Sequence, residues 1–280
     1  MSLEFIKPQL ATAVDHPPPR SGWIHEVKHD GYRTLLIIER RKARAYTRNG
    51  FDWSESYLGI TKAAVKLDCR SAIIDGEVIV QSERGVSDFE SLKSAIRWRP
   101  QKLIFCAFDL LHLNGKDLRD QPLQARRATL KELVPTEHPF MFSEEFIGDA
   151  AAFFQACADH QLEGIVSKLA SCRSKTWLKT KCFTEGSFLI IGTARDRKTK
   201  APLALLAQSN VGGLRYAGSA FIALSGTDRA ELAVRLKKLE HCPIPKLRFP
   251  DARWVKPLKA RVRHLSGSGY LRHATVRAFA

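Results

Sequence analysis

Short apolar runs, separated by turn-forming residues, follow one another through the first 180 or so residues. Over residues 23–48 they predict a strand and then a hairpin with arms TLLIIER and ARAYTR. LIFCAFDLLHLNG predicts a central strand, and GIVSKLA and TWLKTK predict two more. SAIIDGEVIV predicts two strand segments meeting at a turn, because Asp-Gly favours turns. Apolar spacing and capping residues predict helices in DWSESYLGITKAAVKL, SDFESLKSAI, PLQARRATLKELV and GDAAAFFQACADHQ.

The pattern changes after about residue 184. SFLIIGTARD, LALLAQSN and LRYAGSAFIAL predict short strands, and DRAELAVRLKKLE predicts one helix. A basic, proline-spaced tail then leads to a last strand, YLRHATVRAF. Such a region predicts a small barrel of the oligonucleotide-binding (OB) type. We therefore expect an α+β protein with domains at 1–185 and 186–280, joined by a hinge at 184–187.

The charge of the chain indicates the kind of partner. Its 45 Lys and Arg against 29 Asp and Glu give a formal net charge of +16, which favours a polyanion. No apolar run approaches the length of a membrane span, and the N-terminus lacks the pattern of a signal peptide. Six cysteines without a CxxC pair indicate neither a zinc site nor a disulfide framework, so a cytoplasmic protein is expected.

The segment EVKHDGYR, residues 26–33, is the first candidate for chemistry. A lysine amine has an ordinary pKa of about 10.4, and it must lose its proton before it can attack phosphorus. His29 and Arg33 lie close to Lys28 in sequence, and neighbouring cations and partial burial both favour the neutral amine. Strand alternation places Glu26 on the same face as Lys28, and Gly31 permits a tight turn near a ligand.

Other parts of a nucleotidyl-transfer site follow along the chain. Glu77 and Glu163 are carboxylates suited to a divalent metal, and Phe108 could stack on a purine. Cations for the phosphates follow at Lys168, Lys179 and Lys181. Each residue alone has an ordinary explanation: a lysine exposed to solvent, a carboxylate in a turn, an aromatic residue in the core, or the solvent-exposed face of an amphipathic strand. Their order along the chain is what carries information.

That order resembles the ATP-dependent DNA ligases of the covalent nucleotidyltransferase superfamily. The matching motifs are EVKHDGYR, TRNG, DGEVIV, FCAFDLL, EGIVSK and WLKTK. PQLATAVDHPPPRSGWIHEVKHDGYR, WVKP and GYLRHA resemble the ligase module of bacterial non-homologous end-joining (ligase D type) enzymes. The resemblance implies a nucleotidyltransferase (ATP-grasp-like) domain with antiparallel sheets, followed by an OB barrel. It also implies sealing of 3′-hydroxyl/5′-phosphate breaks through a lysyl-AMP intermediate.

The resemblance further implies a role for each matching residue. Lys28 would carry AMP, Glu26 would read adenine, and Phe108 would stack on it. Glu77 would hold the ribose or a metal, and Glu163 would bind the catalytic metal. The expected phosphate, ribose and DNA contacts are Arg33, Arg48, Lys168, Lys179, Lys181 and, on DNA alone, Arg272.

ATP and Mg²⁺ or Mn²⁺ are the expected cofactors, and nicked or broken duplex DNA is the expected partner. A Ku-like end-binding protein and separate polymerase or nuclease chains are further expected partners of a monomer in the bacterial cytoplasm, at the nucleoid. Two other readings remain open. One is an RNA ligase or capping guanylyltransferase, which shares the Lys28 chemistry. The other is a degenerate, step-one-impaired ligase that acts mainly as a nucleic-acid-binding protein.

The last stretch, GYLRHATVRAFA, departs from the family pattern. Ala280 stands where the arginine of an Arg-x-Asp-Lys-like motif is expected. The alternative is that Arg272 or Arg277 supplies the missing cation. Because that motif orients pyrophosphate, the departure predicts slow self-adenylation beside better sealing of a pre-adenylated nick.

Overall fold

The computed structural model describes residues 3–19, 21–171, 176–265 and 270–280. It divides into two compact units, Met1–Cys182 and Phe183–Ala280, whereas the sequence predicted a boundary between residues 185 and 186. Within the described residues, no helix is long and apolar enough to cross a membrane.

The first unit contains eleven strands and four α-helices among its described residues. The strands are β1 Thr12–Ala13, β2 Trp23–Val27, β3 Tyr32–Glu39, β4 Lys42–Thr47, β5 Ser71–Ile79, β6 Ile104–Leu113, β7 Lys116–Asp117, β8 Phe140–Phe142, β9 Glu145–Phe146, β10 Gly164–Leu169 and β11 Trp177–Lys181. The helices are α1 Leu58–Ala64, α2 Phe89–Trp98, α3 Leu123–Leu133 and α4 Ala150–Asp159.

These strands form two sheets. The first has the order β1-β11-β10-β2-β9, and the second has the order β4-β3-β5-β6-β7 with β8 beside β6. Pairing is antiparallel except for β1 with β11 and β6 with β8. The α+β class and the central position predicted for β6 are thus confirmed.

The largest apolar cluster of this unit joins the second sheet to the helices. Leu36 and Phe105 on the sheet are fully buried, as are Leu92 on α2 and Leu130 on α3. Of the two candidate caps in SDFESLKSAI, Ser87 and Asp88, it is Asp88 that caps α2, since its side chain accepts a hydrogen bond from the Ser91 amide at 2.9 Å. The predicted first helix is shorter than expected, because its first residues form turns before α1.

The prediction of a turn within SAIIDGEVIV is wrong, because β5 is one continuous strand. Its register against β6 shifts between Asp75 and Gly76, which accommodates the Asp-Gly pair without a turn. A Cβ on Gly76 would lie 2.5 Å from Phe105 Cζ and 2.7 Å from the Cys106 carbonyl oxygen. The glycine therefore serves the close approach of two neighbouring strands.

The second unit is a closed barrel. Its elements are β12 Phe183–Arg195, β13 Pro202–Asn210, β14 Gly213–Ile222, α5 Gly226–Arg235, β15 Arg253–Leu265 and β16 Thr275–Phe279. The barrel order is β12-β13-β14-β16-β15. In the chain, α5 lies between β14 and β15. This is the predicted OB barrel.

One element of the barrel was missed by the sequence prediction. The basic, proline-spaced tail contains the 13-residue strand β15, which pairs with both β12 and β16. Exposed Lys259 and Arg261 alternate there with buried Ala260 and Val262. Alternation with period two is the strand signal that the proline and the high charge obscured.

The five cysteines among the described residues are free thiols. The sixth, Cys172, lies outside the described residues.

Candidate active site

Three adjacent strands of the first sheet present the basic residues of the predicted site. Val166 on β10 pairs with Glu26 on β2 and with Lys179 on β11. Directly paired residues point to the same face of a sheet, and the direction repeats every second residue. One face thus carries the following predicted residues: Glu26, Lys28, Lys168, Lys179 and Lys181.

Lys28 follows β2 directly and is fixed by the neighbouring strand. Its backbone N–H donates to the Gly164 carbonyl oxygen at 2.8 Å. Its Nζ lies 2.5 Å from Glu163 Oε2, and Lys181 Nζ lies 3.7 Å from the other oxygen of that carboxylate. The Lys28 side chain is 22% exposed and that of Glu163 is 5% exposed. The Lys28 side chain is therefore partly exposed, while its carboxylate partner is buried.

Close packing surrounds the turn after Lys28. A Cβ on Gly31 would clash with the Val78 carbonyl oxygen and would lie 2.9 Å from Glu77 Cγ. Any larger residue would push this turn away from β5. Gly31 thus keeps the segment that carries Lys28 against the strand that carries Glu77.

The second sheet supplies Arg33, Glu77 and Phe108. Arg33 Nε and Nη2 donate to the two oxygens of Asp75 at 2.6 and 2.7 Å, a bidentate pair that the sequence did not reveal. The Arg33 guanidinium carbon lies 4.6 Å from the centroid of the Phe108 ring. In this structure, Arg33 is thus held by a neighbouring strand and faces the candidate stacking ring.

Two aromatic rings from opposite sheets meet at this point. Phe108 on β6 and Trp177 on β11 have centroids 5.9 Å apart and an interplanar angle of 77°. Lys168 Nζ lies 4.4 Å from the Phe108 centroid and 4.2 Å from the Trp177 centroid. Trp177 was missed as a site residue, although the period of β11 places it on the same face as Lys179 and Lys181.

Glu26 lies at the centre of a buried polar network. Its Oε1 lies 2.6 Å from Lys168 Nζ and accepts from Arg127 Nη1 at 3.0 Å, while Oε2 accepts from Ser143 Oγ at 2.8 Å. The Glu26 side chain is only 3% exposed. The carboxylate that was predicted to read adenine is therefore engaged by three protein donors in this structure.

Arg127 connects this network to the stacking ring, and the sequence prediction missed it. Besides Glu26, it donates to Glu145 Oε2 at 2.8 Å and to the carbonyl oxygens of Phe108 and Ser143 at 3.0 and 2.6 Å. Its side chain is 2% exposed. A signal was present, because Arg127 occupies the buried stripe of α3 that includes Leu123 and Leu130.

The two candidate metal carboxylates influence each other electrostatically. Burial, reinforced by the like charges of Glu163 and Asp75, raises the pKa of Glu77 to about 7 against the opposing effect of Lys28 and Arg33. Close to the same cations, burial first and then Lys28 and Lys168 lower the pKa of His29 to about 4.

Glu77 and Glu163 fit a magnesium-type ion. Within the described ranges, no group of three or more His, Cys, Asp or Glu is arranged to hold a metal by itself. Mg²⁺ commonly takes one or two carboxylates and completes its shell with water and substrate phosphates. The mutual repulsion of the two carboxylates is what such a cation would relieve.

Two of the predicted residues, Arg48 and Arg272, belong to other segments of the chain. Arg48 is exposed after β4, and its backbone N–H donates to the Arg33 carbonyl oxygen at 3.1 Å. Arg272 belongs to the second unit, where it is half-buried and its carbonyl oxygen accepts from the Leu265 amide at 3.0 Å.

Known proteins are similar to this chain in sequence. The family described as "ATP dependent DNA ligase domain" matches residues 8–181. The multifunctional non-homologous end joining protein LigD of Pseudomonas aeruginosa is 33% identical over 273 residues, covering 91% of this chain and 32% of that protein. The chain thus spans about a third of the length of that relative.

Two solved structures have the same fold over almost the whole chain. The ligase domain of Mycobacterium tuberculosis LigD is 27% identical with a TM-score of 0.54, covering 97% of this chain and 95% of that one. A mycobacterial DNA ligase D complexed with ATP and MES is 27% identical with a TM-score of 0.56 and the same coverage.

Proposed function

Because this chain belongs to the ATP-dependent DNA ligase domain family, we propose that it seals 3′-hydroxyl/5′-phosphate breaks in duplex DNA through a lysyl-AMP intermediate at Lys28. The observation that carries the proposal is the partly exposed Lys28 side chain, whose Nζ lies 2.5 Å from buried Glu163 on the sheet face that also carries Trp177. ATP is the proposed nucleotide, and the ATP complex of a 27% identical ligase supports this.

In the proposed first step, the Lys28 amine attacks the α-phosphorus of ATP. A phosphorus–nitrogen bond forms, the bond to the bridging oxygen breaks, and pyrophosphate leaves. The amine gives up a proton, for which Glu163 Oε2 is the acceptor in contact. AMP then passes to the DNA 5′-phosphate, and the 3′-hydroxyl displaces AMP to join the strand.

Other residues of the cluster would hold the reactants in line. Phe108 would stack on the base, while Lys179 and Lys181 would neutralise phosphate charge from the face of β11 that also carries Trp177. Glu77 and Glu163 would hold Mg²⁺ or Mn²⁺, which supplies charge stabilisation for the transferring phosphate.

We propose that the biological substrate is a broken duplex in end joining, as the name of the Pseudomonas relative suggests. Recruitment by a Ku-like end-binding protein is part of this proposal. The net charge of +16 supports sequence-independent contact with the DNA backbone.

A denaturation-stable protein–AMP adduct is the decisive test. Wild-type chain incubated with α-labelled ATP and Mg²⁺ should retain the label on a denaturing gel, and Lys28→Ala should not. Lys66→Ala removes an exposed lysine of the same unit and should label like the wild type. Labelling of Lys28→Ala at the wild-type rate would show that another nucleophile acts.

A further inference from the structure

A second aromatic and basic surface lies outside the cluster around Lys28. The end of α2 and the 3₁₀ turn that follows it carry the sequence RWRPQK, residues 97–102, in which every residue is exposed. Three of these six residues are cations and none is a carboxylate. We call residues 97–102 the Trp98 surface.

Trp98 is exceptional among the tryptophans of this chain. Its exposed fraction is 70%, whereas Trp177 is buried and the other three are half-buried. The buried residues of α2 are Leu92 and Ala95, and half-buried Phe89 and Ile96 pack against the same core. Packing thus gives no reason for an indole at this position.

The Trp98 ring is held on one side and open on the other. The Arg97 guanidinium carbon lies 4.7 Å from the centroid of the ring, a cation–π contact. Favourable interaction with the α2 C-terminus accounts for cations at 97 and 99 but not for the indole between them. A ring ordered by one stacked cation retains a free face for a second flat group.

A groove adjoins this ring through its neighbours in the chain. Its volume is about 390 Å³, and its lining includes Arg84, Arg99 and Lys102 together with Gln81 and Ser91. The Arg99 guanidinium is oriented by its donation to Ser94 Oγ at 3.2 Å. The groove thus offers cations and neutral polar groups next to an exposed ring, although Glu83 and Asp88 also line it.

We propose that the Trp98 surface binds the unpaired nucleotides of a single-stranded DNA extension. A base would stack on the free face of Trp98, and phosphates would contact Arg84, Arg99 and Lys102. Cations beside an exposed aromatic ring are the combination that binds single strands without reading sequence. Base pairs inside a duplex are stacked on both faces, so on a blunt end only the terminal pair presents a free face to the ring. The inference rests on DNA being the substrate, as proposed above, but not on lysyl-AMP chemistry.

Binding to matched DNA ends tests this. Fluorescein-labelled duplexes with a blunt end, or with an extension of about six nucleotides, are titrated with the full chain under constant salt. Wild type should bind the extended duplex more tightly. Trp98→Ala should weaken that complex about ten-fold, as expected for one lost base–aromatic stack, and should change blunt-end binding less than two-fold. Trp98→Phe should retain most of the affinity, and Trp98→Leu should not, because only phenylalanine keeps a flat ring.

Two results would overturn the inference: equal losses on blunt and extended duplexes, or no loss with Trp98→Ala on either. The protein–AMP adduct is measured on the same preparations. Wild-type adduct formation in Trp98→Ala shows that the Lys28 site is intact, so a selective loss of extension binding belongs to the Trp98 surface. A wild-type chain that forms no adduct would refute the proposed chemistry and leave the binding comparison standing.

Discussion

Replacing Arg127 with methionine removes the group that joins the first sheet, α3 and β6, the strand that carries Phe108. The variant loses the donors to Glu26 and Glu145 and to two carbonyl oxygens, one of them that of Phe108. Methionine fills a similar volume, so the effect of a cavity is small. The substitution therefore tests the polar network rather than packing.

The expected loss of stability in Arg127→Met depends on which contacts Glu26 and Glu145 keep without the arginine. Breaking a buried ion pair on one side costs about 3–5 kcal/mol, because the other charge stays buried. Glu26 keeps Lys168 at 2.6 Å and Ser143 at 2.8 Å, and the 28% exposed Glu145 side chain can rehydrate. We therefore expect Arg127→Met to lower the free energy of unfolding by about 3 kcal/mol, the lower end of that range. Such a loss lowers the melting temperature of a unit of this size by about 6–12 °C.

Denaturant unfolding followed by tryptophan fluorescence measures this, because four of the five tryptophans lie in the first unit. Lys131→Met is the matched control, since Lys131 is on the same helix and its contact with Glu144 at 3.0 Å is exposed. Lys131→Met should lower the free energy of unfolding by less than about 1 kcal/mol. Adding Glu26→Gln should not recover the loss in Arg127→Met, because it leaves the buried Lys168 ammonium without its carboxylate partner. Equal stability of Arg127→Met and Lys131→Met would refute this account of the network.

Three further predictions concern stability and binding. Gly76→Ala should lower the free energy of unfolding by about 1–3 kcal/mol through its clash with Phe105, whereas Gly59→Ala, in open space on α1, should raise it by about 0.5–1 kcal/mol; urea unfolding of both decides this. His29 stays neutral in the fold down to about pH 4, so below pH 6.5 the unfolded chain takes up a proton that the folded chain does not. Stability should fall as the pH drops from 6.5 towards 4, by up to about 1.4 kcal/mol per pH unit, and His29→Asn should flatten this slope in unfolding curves at each pH. Binding to a nicked duplex should weaken with a log–log salt slope of several units, and a flat response in salt titrations would contradict a basic, backbone-contacting surface.

Residues that alternate along one strand were predictable from the sequence. A period of two places Glu26 with Lys28, and Lys179 with Lys181, without any knowledge of neighbouring strands. The same rule would have included Trp177, which was read only as part of a strand. The OB barrel was predictable because short strands and one helix leave few other arrangements.

Partners on different elements were not predictable in the same way. Nothing local in the sequence pairs Arg33 with Asp75, 42 residues away, or Arg127 with Glu26, 101 residues away. Those pairs depend on the register of β3 against β5 and on how α3 packs. The Asp-Gly of β5 was mispredicted for the opposite reason. The local sequence favours a turn there, but the long strands β5 and β6 continue through it with a register shift.

The charges buried between the two sheets are hard to explain by stability alone. Lys168 and Glu26 are each almost inaccessible, and burying such a pair costs more desolvation than a well-packed apolar pair would. Their contact nevertheless fixes the Lys168 ammonium about 4 Å from two rings that come from opposite sheets. Arg127 ties the same carboxylate to the backbone of Phe108. One buried anion thus contacts a cation on its own sheet and, through Arg127, the backbone of Phe108 on the other sheet. In the nucleotide site proposed above, these contacts would fix a ring for the flat base beside a cation.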